Sequence, residues 1–435
     1  MNNIIKLALI AHDFPPYNVG GSQRPYLMAK ALAEEGIEVF VFTLKEEYYN
    51  KTRLNFEYNF NQYSNIHIIR TDIDKKSIFN NSSHYFSLVD DIASRWKKHL
   101  IIKIKENSKS VPFDLLLFTC PPFSLAKHAV SVSKETEIPF ALDLRDAWSQ
   151  WIMTPYASYL HYKILIITEK KVIEKAAFVS STSQQQIKDF KEVHKTNFNN
   201  KFIYAPNGFI DFVDQSKEDD SLKVKIIYTG SFYFNPYSQA LQTKKWYQKK
   251  WYQILQYLPR LEDWSYRSPL YFFKTLELLI SKYPKLASNI EVVFAGQKPD
   301  WFERMVADHN LQKHVNHLGF INKKEVQLLL KDANYLLITS SKIPNGKEYS
   351  VAGKTFEYIA YQKPILAFVN EGEQKEVLKK TQIAHIFNPD EIVENVVRLK
   401  SIMENEINLD INHETCNQFK IPNNFSQLIA KLKNL

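Results

Sequence analysis

Apolar residues along this chain fall into two alternating patterns: short uninterrupted runs of strand length, and longer stretches in which they recur at helical spacing. The first run, residues 4–11 (IIKLALIA), leads through a loop with Pro15, Pro16, Gly20 and Gly21 into a helical pattern on Tyr26, Leu27, Ala31 and Leu32. Val39–Thr43 is the next predicted strand, which completes a strand, loop, helix, strand unit of the kind that builds a parallel sheet with crossover helices. The pattern recurs at Leu115–Phe118, Phe140–Leu144 and Phe178–Ser181, the last followed by a helix capped near Thr182 or Ser183.

A second series opens after Ala205-Pro206-Asn207-Gly208. Its strands are predicted at Lys225–Thr229, Glu291–Ala295, Val315–Leu318, Tyr335–Thr339 and Pro364–Phe368, with helices at Phe272–Lys282, Trp301–His309, Lys323–Lys331 and Thr355–Tyr361. The expected organisation is an α/β domain over 1–208, a charged linker over 209–223, a second α/β domain over 224–410 and a C-terminal helical segment over 411–435. Within the second domain, residues 234–270 interrupt a strand-to-helix connection that normally takes a few residues. This insertion is crowded with Lys, Arg, Trp and Tyr (KKWYQKKWYQILQYLPRLEDWSYRS), which suits a membrane-surface or acceptor-contacting element, a domain-packing arm, or a platform for single-stranded nucleic acid.

Composition narrows the class. The chain has 435 residues, 45% hydrophobic and 24% charged, which is globular and long enough for two cores. No stretch has the roughly 18 unbroken apolar residues of a membrane span. The first apolar run lacks a small-residue cleavage site, so it reads as a buried strand, and a cytoplasmic setting is expected. Cys120 and Cys416 are the only cysteines, which argues against a disulfide framework or a zinc site. The formal charge of +9 suits a phosphorylated substrate, an anionic membrane or nucleic acid, and equally a plain Lys- and Asn-rich bias.

Ten glycines in the whole chain make the position of each informative. Gly20 and Gly21, with Ser22 beside them, stand where backbone N–H groups at a helix start can meet an anion, although a plain tight turn fits the same residues. Asp143, Arg145 and Asp146 cluster at a strand end, as a hydroxyl-orienting or general-base group or as a simple salt-bridged terminus. Gly353, Lys354, Thr355 and Glu357 open a helix where Lys can neutralise phosphate and a carboxylate can accept from two vicinal hydroxyls, the alternative being an ordinary capped helix.

Taken in order, FPPYNVGGSQRPYLMAKAL, CPPFSLAKHAV with PFALDLRDAW, APNGF, YTGSF and GKTFEYIAYQKPILA resemble the family 4 glycosyltransferases over nearly the whole length. The resemblance implies the GT-B fold of two facing Rossmann-like domains, each with a mainly parallel sheet. It also implies retaining transfer of a sugar from a nucleotide diphosphate donor to a glycan or lipid-linked acceptor, with no metal or other cofactor. Gly20 and Gly21 would lie near donor phosphates or acceptor, Lys354 near the phosphates, Glu357 on the ribose and Glu348 against the donor sugar. Gly230 and Ser231 of YTGSF would close on the donor, with Arg267 or a Lys of the insertion standing in for the cationic pair that the family carries there. The family spaces its paired glutamates by seven residues; here eight lie between Glu348 and Glu357, and Tyr349 holds the in-register position. Arg145-Asp146 stands where many members have His-Asp.

Such enzymes assemble surface polysaccharide or lipopolysaccharide, and peripheral attachment to anionic membrane through 244–267 is expected, with no nucleic-acid partner. Two other readings fit the same residues: a non-catalytic glycan- or nucleotide-binding protein of this fold, and a nucleotide-sugar epimerase.

Overall fold

The computed structural model describes residues 4–55, 62–75, 92–150, 156–214, 223–232, 235–237, 245–250 and 253–435. These residues form two compact units. The first comprises Met1–Ile210, Lys245–Arg260 and Ile421–Leu435, and the second Asp211–Lys244 and Leu261–Lys420.

In the first unit seven strands lie parallel in the order β3-β2-β1-β4-β5-β6-β7. They are β1 (Lys6–Ala11), β2 (Glu38–Leu44), β3 (Ile66–Thr71), β4 (Leu115–Cys120), β5 (Phe140–Leu144), β6 (Val179–Ser181) and β7 (Phe202–Tyr204). The helices are α1 (Gly20–Glu34), α2 (Ile92–Ser108), α3 (Phe123–Thr136), α4 (Tyr159–Lys175) and α5 (Gln184–His194). Both sheet faces are covered, which is why the strands read as continuous apolar runs rather than alternating ones. Ala8, Ile10, Leu116 and Phe118 turn to one side, with Trp96, Leu100 and Ile104 of α2 and Leu125 and Ala129 of α3. Leu7, Leu9, Leu115 and Leu117 turn to the other, against Leu27, Met28 and Ala31 of α1.

The second unit repeats the plan with six parallel strands, ordered β10-β9-β8-β11-β12-β13. They are β8 (Val224–Thr229), β9 (Ile290–Ala295), β10 (Val315–His317), β11 (Tyr335–Thr339), β12 (Ile365–Phe368) and β13 (Ala384–Phe387). Its helices are α6 (Leu270–Lys282), α7 (Pro284–Ala287), α8 (Phe302–Asp308), α9 (Lys323–Lys331), α10 (Gly353–Tyr361), α11 (Glu373–Thr381), α12 (Ile392–Met403) and α13 (His413–Asn417). Asn322 starts α9 with a reciprocal capping box to Glu325, as the sequence Asn-x-x-Glu specifies. The expected α/β class with two Rossmann-like units and parallel sheets is the observed one.

Two segments group differently from their place in the chain. The terminal helix α14 (Ser426–Lys433) belongs to the first unit, where Phe425, Leu428, Ile429 and Leu432 join the core beneath β1 and β4. Of the expected second-domain insertion 234–270, residues 245–260 also group with the first unit; Tyr257 exchanges backbone hydrogen bonds with Tyr156, and Arg260 pairs with Asp189 at 2.9 Å. Its residues 234, 238–244 and 251–252, and residues 215–222 of the expected linker, lie outside the described residues. Among the described residues no helix is long and apolar enough to cross a membrane.

Candidate active site

In each sheet the strand order reverses beside the first strand, between β1 and β4 in one unit and between β8 and β11 in the other. Helices leave in opposite directions at such a point, which opens a crevice at the carboxyl ends of the strands where ligands bind. The sequence-predicted site residues cluster at these two edges.

In the second unit β8 ends at Gly230, whose φ of +119° is one that side chains rarely adopt, and a Cβ there would meet Lys354 Nζ at 2.8 Å. Glycine at 230 thus leaves room for the ammonium, which lies 3.5 Å from the centre of the Tyr228 ring. Lys354 stands in the first turn of α10. Burial pushes its ammonium well below the usual lysine range, the Arg267 guanidinium adds to that, and the Glu357 charge opposes it.

Arg267 ends a short 3₁₀ turn (Trp264–Arg267) that is fastened to β11. Thr339 Oγ1 donates to the Arg267 carbonyl at 2.6 Å, and Asp263 and Lys342 exchange backbone hydrogen bonds. The start of α10 has no side-chain cap, and Gly353 is exposed with no atom within 4 Å of where its Cβ would be. Open amides at a helix N-terminus, an ammonium and a guanidinium therefore share one place, the ingredients of an anion site.

Glu348 is 4% exposed. Its Oε1 accepts from Ser341 Oγ at 2.8 Å and Ser350 Oγ at 2.9 Å and lies 3.8 Å from Arg267 Nη1, while Oε2 is buried with no hydrogen-bond partner. Glu357, one turn into α10, is exposed. Ser231 Oγ accepts from the Gln297 N–H at 3.2 Å and so ties the loops after β8 and β9 together.

Thr355, expected at the substrate, is instead fully buried and donates to Gln374 Oε1 at 3.4 Å. Gln374 also accepts from the Ala352 N–H at 2.8 Å and donates to the Thr339 carbonyl, so it supports the loop that carries α10.

The first unit separates its predicted residues more sharply. Gly20 and Gly21 open α1, and Asp13 lies so close that a Cβ on Gly21 would come within 2.4 Å of its Oδ2. The negative charge at this helix start is thus the protein's own, held also by His12 Nδ1 at 2.7 Å from Asp13 Oδ1. Arg145 gives its three nitrogens to the backbone carbonyls of Gly21, Cys120 and Pro121, and Asp146 lies half-buried beside it.

Asp143 and Ser22 correct the expectation of substrate contact. Asp143 is fully buried: Arg24 Nη2 and Nε hold it at 2.6 and 3.0 Å, with Thr119 Oγ1 at 2.9 Å and Ser180 Oγ at 2.7 Å. Burial alone would raise its pKa, but the Arg24 charge and these hydrogen bonds outweigh it and lower it. The carboxylate serves the interior because it stands on β5 rather than in the loop beyond. Ser22 is likewise fully buried, its Oγ without a partner.

Residues 268–420 match the family model described as glycosyl transferases group 1. That span is a glycosyltransferase domain. The matched span holds Glu348, Lys354 and Glu357 and stops at Lys420, where the second unit also ends. By sequence no curated protein matches it.

Three proteins are among the solved structures to which the chain is similar. They are the lipopolysaccharide outer core galactosyltransferase WaaB (12% identity, TM-score 0.56, 99% of each chain), HepE of Anabaena in complex with UDP and glucose (13%, 0.57, 99% and 100%), and sucrose-phosphate synthase of Thermosynechococcus elongatus (13%, 0.55, 99% and 94%). At these identities the likeness establishes the fold.

His12, Asp13, Arg24, Tyr228 and Gln374 stand at these sites without having been expected there from the sequence. Asp13 had a legible signal, a carboxylate straight after a strand and before a glycine pair; Gln374 had none, because its role exists only once α10 and α11 are packed together.

Proposed function

We propose that the enzyme moves a glycosyl group from a nucleoside diphosphate donor to the hydroxyl of a glycan or lipid-linked acceptor, with retention at the anomeric carbon. The bond from that carbon to the diphosphate oxygen breaks, one to the acceptor oxygen forms, and the acceptor proton leaves. What supports this reading above all is the convergence of Lys354, Arg267 and the uncapped start of α10 at the end of β8. Negative charge grows on the departing diphosphate, and preorganised N–H groups with fixed cations stabilise it at no reorganisation cost. No metal or other cofactor is given a part.

In this assignment Gly230 and Ser231 close over the diphosphate, Gly353 lets it approach the α10 amides, and Glu357 takes the ribose hydroxyls. The unpartnered Oε2 of Glu348 accepts from a hydroxyl of the donor sugar. Gly20, Gly21, Asp13, Arg145 and Asp146 form the acceptor side, where a carboxylate already neutralises the helix start and a neutral hydroxyl fits better than a second anion. The complexes of HepE with UDP and with UDP-glucose favour a uridine donor, and the likeness to WaaB, a lipopolysaccharide outer core galactosyltransferase, favours lipopolysaccharide or other surface-polysaccharide assembly in the cytoplasm.

Thermal shift against UDP, GDP and ADP identifies the nucleotide, because a ligand of the folded state alone raises stability with occupancy. With the matching donor, Lys354→Ala is expected to lower kcat roughly 10²- to 10³-fold, the effect of losing one charge-stabilising donor, while leaving acceptor KM nearly unchanged. Wild-type rates of transfer and donor hydrolysis in that variant would refute the assignment.

A further inference from the structure

We propose that His317, the last residue of β10, is a positioning residue for the anion site at Lys354, which it reaches through a seam of three backbone glycines. The role rests on that site being the seat of the diphosphate. Gly319, Gly296 and Gly230 stand just beyond the ends of β10, β9 and β8, three neighbouring strands, and they touch in that order. The Gly319 carbonyl accepts from the Gly296 N–H at 2.9 Å. Gly296, with a φ of +143°, lies so close to the next glycine that a Cβ on it would come within 2.3 Å of the Gly230 carbonyl oxygen. Gly230 in turn faces the Lys354 ammonium.

Glycines give packing no side chain to grip, so the place of this seam depends on the hydrogen bonds along it and at its ends. At one end Ser231 Oγ ties the loops after β8 and β9 together through Gln297. At the other, His317 Nδ1 accepts from the Gly319 N–H at 3.0 Å. A backbone N–H can only donate, so Nδ1 carries no proton and the neutral ring keeps its hydrogen on Nε2. The ring meets that of Phe302 edge-on, 4.7 Å between centroids, and lies 6.1 Å from Phe294 with the planes 18° apart. Nε2 is buried with no hydrogen-bond partner, so among the described residues Gly319 is the imidazole's one polar contact. A side chain that merely filled the gap between two phenylalanines would need no nitrogen there.

A proton on Nδ1 would set donor against donor and release Gly319. Burial lowers the His317 pKa from the usual histidine value, and Lys298 in the loop after β9 adds to this. Glu303 on α8, which is paired with Lys298, opposes both. The contact is therefore complete above the usual value of 6.5 and is lost as pH falls through the lower folded one.

Two substitutions separate positioning from packing. His317→Asn removes the ring but sets Oδ1 where Nδ1 stands, able to accept from the N–H two residues on as asparagine does in turns. His317→Leu keeps an apolar side chain between the phenylalanines and removes the acceptor. In the whole protein without nucleotide, hydrogen exchange at the Gly319 and Gly296 amides is expected to quicken roughly tenfold in the Leu variant, because an amide without its acceptor opens more readily, and to stay near wild type in the Asn variant. Titrated with UDP, GDP and ADP in turn, the Leu variant should bind the diphosphate roughly tenfold more weakly than wild type, and the Asn variant within about twofold of it. From about pH 7.5 to about pH 5 the ratio of wild-type to Asn affinity should fall, since only histidine titrates at this position and protonation of the diphosphate cancels in the ratio.

Wild-type exchange in the Leu variant, an Asn variant as loose as the Leu variant, or a constant affinity ratio across that range would each overturn the proposal. Tight binding by the Leu variant with weak binding by the Asn variant would also overturn it, marking the ring as packing alone. If no nucleotide binds the wild type, the diphosphate reading fails, and exchange at the glycine amides still decides whether His317 holds the seam.

Discussion

Lys354 is an ammonium held where an ammonium is uncomfortable: under Gly230, with burial and the Arg267 charge both favouring the neutral form. The sign of the resulting pH dependence follows. In the unfolded chain the proton is held up to about pH 10.5, and the folded protein releases it at lower pH, so stability should rise with pH across that interval. A bound diphosphate reverses the preference by supplying the missing negative charge. Nucleoside diphosphate affinity, measured by titration calorimetry, is therefore expected to fall by up to about tenfold per pH unit above the free-enzyme pKa, with proton uptake on binding. Lys354→Arg should remove that dependence, because a guanidinium keeps its charge throughout. A flat wild-type profile over the alkaline range would separate Lys354 from the diphosphate.

At the scale of elements, α1 carries a proline where a helix interior normally rejects one. Pro25 has no N–H to give the carbonyl four residues back, which is that of Gly21. The Gly21 carbonyl instead accepts from Arg145 Nη1 in the loop after β5, so the proline and the arginine are two halves of one device. Arg145→Ala should leave that carbonyl unsatisfied at a cost of about 1–3 kcal/mol. In a Pro25→Ala background, where the helix can satisfy the carbonyl itself, the cost should shrink. A double-mutant cycle by urea denaturation measures the coupling, and additive effects would separate the two residues. This device also shows what one dimension hides: the sequence displays a proline and an arginine 120 residues apart, and only the parallel pairing of β1 with β4 and of β4 with β5 brings them together. Central strands were legible because they are buried on both faces, and β5 and β11 fall where their apolar runs predict. The three unpredicted strands, β3, β7 and β13, all lie at sheet edges, where half-buried sequences such as IHIIRT lose the apolar run. Helix α4 was missed for the opposite reason, since apolar residues on both of its sides erase the helical period.

Over the whole molecule, the chain closes its first unit with its last residues, and this makes the stability of that unit depend on the far end of the sequence. Ile421, Phe425, Leu428, Ile429 and Leu432 are each at most 7% exposed within the core that holds Leu7, Leu9, Leu115 and Leu117. Arg24, the partner of Asp143, stacks over the Phe425 ring at 5.2 Å, and Asn424 Nδ2 donates to the Pro206 carbonyl at 3.1 Å. Fully burying five such side chains stabilises by about 1.5–3 kcal/mol each, a sum comparable with the whole margin of roughly 5–15 kcal/mol that holds a domain folded. Removing 421–435 is therefore expected to unfold the first unit. Lys354, Arg267, Gly230 and Glu357 all lie in the second unit, whose residues 268–420 carry the family match, and no side chain of 421–435 belongs to that unit. Calorimetry of the truncated protein should show one cooperative transition lost and the other still moved upward by nucleoside diphosphate. Loss of both transitions would mean that the second unit cannot hold its nucleotide site alone, and an unchanged melt would mean that the terminal helix is dispensable to the core it fills.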